Sequence, residues 1–176
     1  MIEGIRKLYE VGSISYDDRW TPNSPQVSRL GELFDVDTST YEGVAKVADY
    51  VFDTYNELDQ YCTVERRYEA SFERGFERVE LRVRERETVR PKETKASGEY
   101  YGVVDLMRCN VPDIGEFYVV RSMTSDESGA KSVVMRAFLG KASAEYNYEA
   151  DIRELRRRAR VAGRSFSRIS RYIKSE

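Results

Sequence analysis

Two groups of residues in this 176-residue sequence could do chemistry. The first is Asp105, set in the apolar run Gly102-Val-Val-Asp105-Leu-Met, with Glu116 eleven residues on. Two carboxylates on neighbouring strands are hard oxygen ligands of the kind magnesium accepts, and a shared ion could activate water. The second is a set of arginines, Arg153, Arg156, Arg157 and Arg160, spaced i, i+3, i+4 and i+7 and continued by Arg164 and Arg168. That spacing puts the first four along one helical face, where guanidinium groups can grip phosphates or carboxylates bidentately. A nucleic acid, the acidic face of a neighbouring protein, and solvent are the three candidates to meet it. Histidine is absent, which removes histidine-activated nucleophiles, imidazole metal sites and histidine acid/base catalysis within one chain. Cys62 and Cys109 are the only thiols. They form neither a CxxC pair nor a zinc site, and read as two reduced, partly buried small residues. No cofactor is implied, and the residue inventory points away from an enzyme.

The stretch Gly102-Val-Val-Asp105, followed by Glu116-Phe-Tyr-Val-Val-Arg121-Ser-Met123-Thr, resembles the core hairpin of RecB-like and Cas4-like nucleases of the PD-(D/E)xK superfamily. The likeness covers about residues 40 to 145. It implies that Asp105 stands at the first metal carboxylate, and that Arg121 and Met123 stand where the second carboxylate and the lysine belong. Gly43-x-x-Lys46 falls near the family's G-x-x-x-H region without its histidine. The resemblance therefore implies a nuclease-like fold that has lost its activity. A shifted alignment pairs Asp105 with Glu116, puts Tyr118 in the place of the lysine and leaves a magnesium site. Against it stands the plain reading that Asp105 bonds in a turn or faces solvent, and that Glu116 merely begins a strand.

Charge is distributed unevenly behind a net value of −2. Residues 14 to 60 hold ten acids against three bases, a net −7, whereas residues 152 to 175 hold nine bases against Glu154 alone, a net +8. On different faces these regions make a dipole through which copies can attract one another; in contact they are internal pairing.

The elements that must position these groups follow from periodicity. Residues 2 to 11 form a short helix ending near Gly12, and Ser13 to Pro25 read as a loop around Trp20, the only tryptophan. Trp20 could anchor a neighbouring chain or close the edge of its own core. Residues 40 to 60 carry Val44, Val47, Val51, Tyr55 and Leu58 at helical spacing, with Ser39 and Glu42 as a capping box. From Thr63 the period changes to two. Strands are expected over 63–71, 76–85, 100–109, 117–123 and 132–139, with a polar loop over 91–98. A basic helix over about 147–162 should end at Gly163, followed by a short strand or frayed tail.

The expected architecture is α+β in two layers: a four- to five-stranded antiparallel meander flanked by an N-terminal acidic helix and a C-terminal basic helix. Residues 1–39 are expected as a helix and proline-containing arm ahead of a single domain over 40–176. No apolar run is long enough to span a bilayer and the first residues lack a secretory pattern, so a cytoplasmic or virion setting without membrane contact is expected. Thirteen tyrosines add area suited to interfaces. The functional expectation is a structural or assembly subunit, for example a viral ring or connector component, forming a homo-oligomer or protein complex. The alternative is an inactive PD-(D/E)xK-like module that binds DNA or RNA through the C-terminal arginines.

Overall fold

The computed structural model describes residues 2–73, 76–83, 86–93, 100–126 and 128–175, with side chains described within 2–69, 101–126 and 128–158. Its elements are α1 (Glu3–Val11), β1 (Ser13–Asp17), α2 (Pro25–Phe34), α3 (Tyr41–Tyr61), β2 (Cys62–Glu73), β3 (Phe76–Val83), β4 (Arg86–Glu93), β5 (Tyr100–Val111), β6 (Gly115–Ser125), β7 (Lys131–Phe138) and α4 (Lys141–Ser175). The class is α+β as expected, with every strand pair antiparallel and helices at both ends of the chain.

Helix α3 forms where its apolar spacing placed it, burying Val44, Val47, Val51, Tyr55 and Leu58. Its cap is one residue later than expected. Thr40 Oγ1 accepts from the Gly43 N–H at 3.1 Å, while Ser39 gives its N–H to Asp37 Oδ1. Gly43 has no room for a side chain, because a Cβ would run into the Asp37 carbonyl. The stretch expected as an arm contributes to the same core: Ile5, Leu8, Ile14, Tyr16, Val27 and Leu30 are buried together with the α3 valines. Ser24 caps α2, whose first residue is Pro25, so the proline that reads as a loop former starts a helix instead. Trp20 is half-buried, packed against this core and edge-on to Tyr16 with ring centres 5.7 Å apart.

The sheet has seven strands in the order β1-β7-β6-β5-β2-β3-β4, two more than the periodicity revealed. β1 is too short to stand out beside its turn-rich flank. β4 takes in Pro91, which a sheet tolerates because β4 is an edge strand. The β3–β4 hairpin lies outside β2, and β5 returns to the other side of β2, so the order is not a simple meander.

The expected two layers are three. α1, α2 and α3 cover one face over Met107, Cys109, Phe117, Val119, Val133 and Met135, and α4 covers the other over Tyr68, Val104, Leu106 and Val120. Helix α4 starts earlier than expected and runs unbroken through Gly163, so the tail expected as a short strand or frayed end is helical. A single interior glycine costs about 1 kcal/mol, which a helix this long absorbs. At Gly102 the missing side chain lets Leu155 of α4 seat on β5.

Cys62 and Cys109 are not reduced as expected: they are register partners across β2 and β5 and are joined in a disulfide. Their 47-residue separation in sequence says nothing of distance once the two strands pair. Replacing both by alanine should lower the unfolding free energy by about 2–4 kcal/mol in a urea titration. Full alkylation of both thiols in unreduced native protein would contradict the bridge.

Candidate functional site

The centre of the sheet holds Asp105, fully buried on β5, with Arg67 of β2 and Arg121 of β6 as its register partners on either side. Antiparallel partners point to the same face, so the row Arg67-Asp105-Arg121 puts three charged side chains together under α3. A β-bulge makes this possible. Between Val64 and Arg66 the register of β2 slips by one residue at Glu65, which turns Arg67 onto the face that Cys62 and Val64 occupy. Without the extra residue Arg67 would point towards α4.

The geometry is closed on all sides. Arg67 Nε donates to Asp105 Oδ1 at 2.6 Å and its Nη2 to Oδ2 at 3.0 Å, a bidentate clasp. Arg121 Nε donates to the same Oδ2 at 2.9 Å. The rest of the Arg121 guanidinium turns to α3: Nη1 donates to the Tyr55 carbonyl at 2.6 Å, Nη2 donates to Asp59 Oδ1 at 2.5 Å, and the group lies 4.4 Å from the centre of the Tyr55 ring. Arg67 also approaches Glu69 at 3.9 Å. The result is an alternating chain, Asp59, Arg121, Asp105, Arg67, Glu69, leading from half-exposed α3 through the core and back to the rim. Burial pushes the Tyr55 hydroxyl up to about 12 against the pull of Arg121, so it stays protonated. Hydrogen bonding to Asp105 holds the Arg67 guanidinium above its ordinary value. Burial disfavours the Arg121 cation, and its bonds to Asp59 and Asp105 outweigh that.

Asp105 is therefore neither in a turn nor on a wet face, and it is not placed to hold a metal. Both carboxylate oxygens are taken by guanidinium groups and no surface is open to an ion. Glu116 does not meet it. It stands opposite Asn110, five rows and about 17 Å along the strands, and is half-exposed in an ion pair with Arg108 at 2.8 Å. Tyr118 packs on the α4 side and Met123 on the α3 side. Among the described residues no three acidic, cysteine or histidine side chains gather as a metal site.

The arginines of α4 divide. Ala144, Tyr148 and Leu155 are buried on the sheet, and the first half of the helix is tied to it by Arg66 to Glu149, Arg136 to Asp151 and Lys141 to Glu65. Arg153, Arg157 and Arg158 are exposed, Arg156 is half-buried, and Arg157 and Arg158 both donate to Glu154. Arg160, Arg164 and Arg168 lie outside the residues whose side chains are described. On the opposite side of the sheet, Glu42, Asp49 and Asp53 of α3 and Glu32, Asp35 and Asp37 before it are exposed.

No protein-family model, no curated protein and no solved structure matches this chain. The functional reading rests on its own geometry.

Arg67, Asp59 and Tyr55 carry the central cluster, and no motif in the sequence marks them as partners of Asp105. One signal was present: Val103-Val-Asp105-Leu-Met and Val119-Val-Arg121-Ser-Met each set a single charge, of opposite sign, in an apolar strand.

Removing one partner should expose the cost of the others. Asp105→Asn should destabilise the fold by about 3–5 kcal/mol in urea, and Asp105→Leu combined with Arg121→Met should cost less than the two single changes together. Strict additivity in that cycle would mean that the two groups are not coupled.

Acid should act on the surface of α4. The hydrogen bond from Arg157, opposed by desolvation and aided by a further bond from Arg158, pulls Glu154 from 4.5 to about 2. A depressed carboxylate contributes stability that is complete above its unfolded value and lost as pH falls through its folded one. The helicity difference between wild type and Glu154→Gln should thus be present at pH 6 and fade from about pH 4.5 to about pH 2 by circular dichroism. Because Glu154 is solvated, the difference should be small.

Proposed function

We propose that this chain is a non-enzymatic assembly subunit that associates through its opposed acidic and basic faces. The observation carrying this reading is that α3 and α4 lie on opposite faces of one sheet. The acids of α2, α3 and the turn between them then look away from Arg153, Arg157 and Arg158. The exposed acids of α2 and α3 and the exposed Arg153, Arg157 and Arg158 thus stand on opposite sides of the sheet, which supports reading the asymmetry of the sequence as a dipole across the domain. Faces of opposite sign on opposite sides suit a head-to-tail contact, which closes into a ring or grows as a filament depending on the rotation between copies. The sealed state of Asp105 supports the non-enzymatic half of the proposal, since the one carboxylate that the nuclease resemblance singles out is spent on structure.

A second reading is supported by the same exposed arginines: an inactive nucleic-acid-binding module using α4. It is the less favoured one because it leaves the exposed acids of α2 and α3 without a role.

Light scattering on the full chain at low and high salt, with and without duplex DNA, separates the two. The assembly reading expects protein-only oligomers that dissociate as salt screens the faces, and that Arg153→Glu with Arg157→Glu weakens. A chain that stays monomeric alone and gains mass only with DNA would overturn it in favour of the second.

A further inference from the structure

The two edges of the sheet are built differently. β4, at one end, reads Arg86-Glu-Thr-Val-Arg-Pro91-Lys-Glu93, and its five charges and proline are the devices that keep an edge from pairing. β1, at the other end, reads Ser13-Ile-Ser-Tyr-Asp17, with one charge, no proline and no bulge in its pairing with β7.

Among the described residues, no strand pairs with β1 on its outer side. The Gly12 carbonyl accepts from the Ala137 N–H and the Asp18 N–H donates to the Lys131 carbonyl, which fixes the alternation. Residues 12, 14, 16 and 18 turn their peptide groups towards β7, and Ser13, Ser15 and Asp17 turn theirs outward. The Asp17 carbonyl is used by the Trp20 N–H in the following turn. Among the described residues, nothing in the chain bonds the peptide groups of Ser13 and Ser15. They line a groove of about 590 Å³ whose other wall is α2, with Trp20 and Leu33 as apolar lining and Arg29 and Glu32 as its charges.

We propose that β1 is the seam of a symmetric dimer, in which β1 of a second copy pairs antiparallel with it about a two-fold axis at Ser15. Charge complementarity commits the groove to a second copy. Pairing about Ser15 sets Asp17 of each copy against Ser13 of the other, so no like charges stand opposed. A two-fold contact must be self-complementary, and α2 meets that requirement by carrying one cation and one anion a turn apart. The two-fold axis runs the two α2 helices antiparallel, so Arg29 of each copy is available to pair with Glu32 of the other. The buried Ile14 and Tyr16 hold β1 rigid for the partner. This contact shares only Glu32 with the acidic face, uses neither the acids of α3 nor the arginines of α4, and does not rest on the proposal above.

Light scattering and analytical ultracentrifugation of the full chain test it. The expected result is a dimer that persists in high salt, because main-chain bonds form most of the seam. Ser15→Pro removes an N–H that points away from β7, so it should weaken the dimer at least about tenfold with the circular dichroism spectrum unchanged. A wild-type monomer up to near-millimolar concentration overturns the proposal, as does a folded Ser15→Pro protein that dimerises like wild type. Should Ser15→Pro fail to fold, the charge pair decides. Arg29→Glu and Glu32→Arg should each weaken the dimer and the double change restore it, while equal masses for all three overturn the seam. Association that vanishes in salt and ignores Ser15→Pro and Arg29→Glu overturns the seam and belongs to the charged faces.

Discussion

One buried carboxylate ties the centre of this molecule together. Asp105 lies where three strands and the end of α3 converge, and its two oxygens receive three hydrogen bonds from Arg67 and Arg121. A buried ion pair is weak evidence for stability, since hydrophobic residues of the same volume often do as well. Its larger effect is on alternatives. Slipping β2 or β6 by one residue would carry an arginine to the other face and strip the buried Asp105 of one of its two guanidinium partners, at a cost of several kcal/mol. The cluster thus fixes the register of β2, β5 and β6, and through Tyr55 and Asp59 the seat of α3 on them.

That constraint explains why one bulge and one disulfide sit on the same strand pair. The Cys62–Cys109 bridge anchors the start of β2 at the end of α3, and the bulge at Glu65 then re-aims the strand so that Arg67 reaches Asp105. Three residues past the bridge the register shifts once, and beyond it the pairing of β2 with β5 continues unbroken to Phe72 and Tyr100. A short, doubly fixed stretch sets the alignment of a long one.

Much of the fold is legible in the sequence where periodicity is long and unambiguous. The valines of α3 and the alternating runs of β5, β6 and β7 can be read directly, and so can the α+β class. The misses have physical causes. β1 shows only Ile14 and Tyr16, too few positions for a period of two to stand out. Pro25 reads as a breaker because a proline at the first helical position and one in a turn look alike without the Ser24 cap geometry. Gly163 reads as a stop, yet a glycine terminates a helix only if it adopts a left-handed conformation, which sequence does not reveal. The candidate site is harder still. Asp105 can be read as a ligand because one strand's pattern contains no statement of what the next strand brings, and a bulge that moves Arg67 by one position has no sequence signature of its own.

What remains at the surface is shaped by what the interior excludes. A centre closed by guanidinium groups leaves Asp105 no free oxygen, and the exposed charges described lie on the two outer layers. If both proposed contacts operate, they differ in kind. The β1 seam is isologous and closes on itself at two copies, whereas the meeting of acidic and basic faces is heterologous and leaves one face of each sign unsatisfied until a ring closes. Dimers joined by such a second contact build either a dihedral assembly or an open filament. Which one forms depends on the angle between the seam and the dipole, set by the twist of a seven-stranded sheet whose central register Asp105 holds.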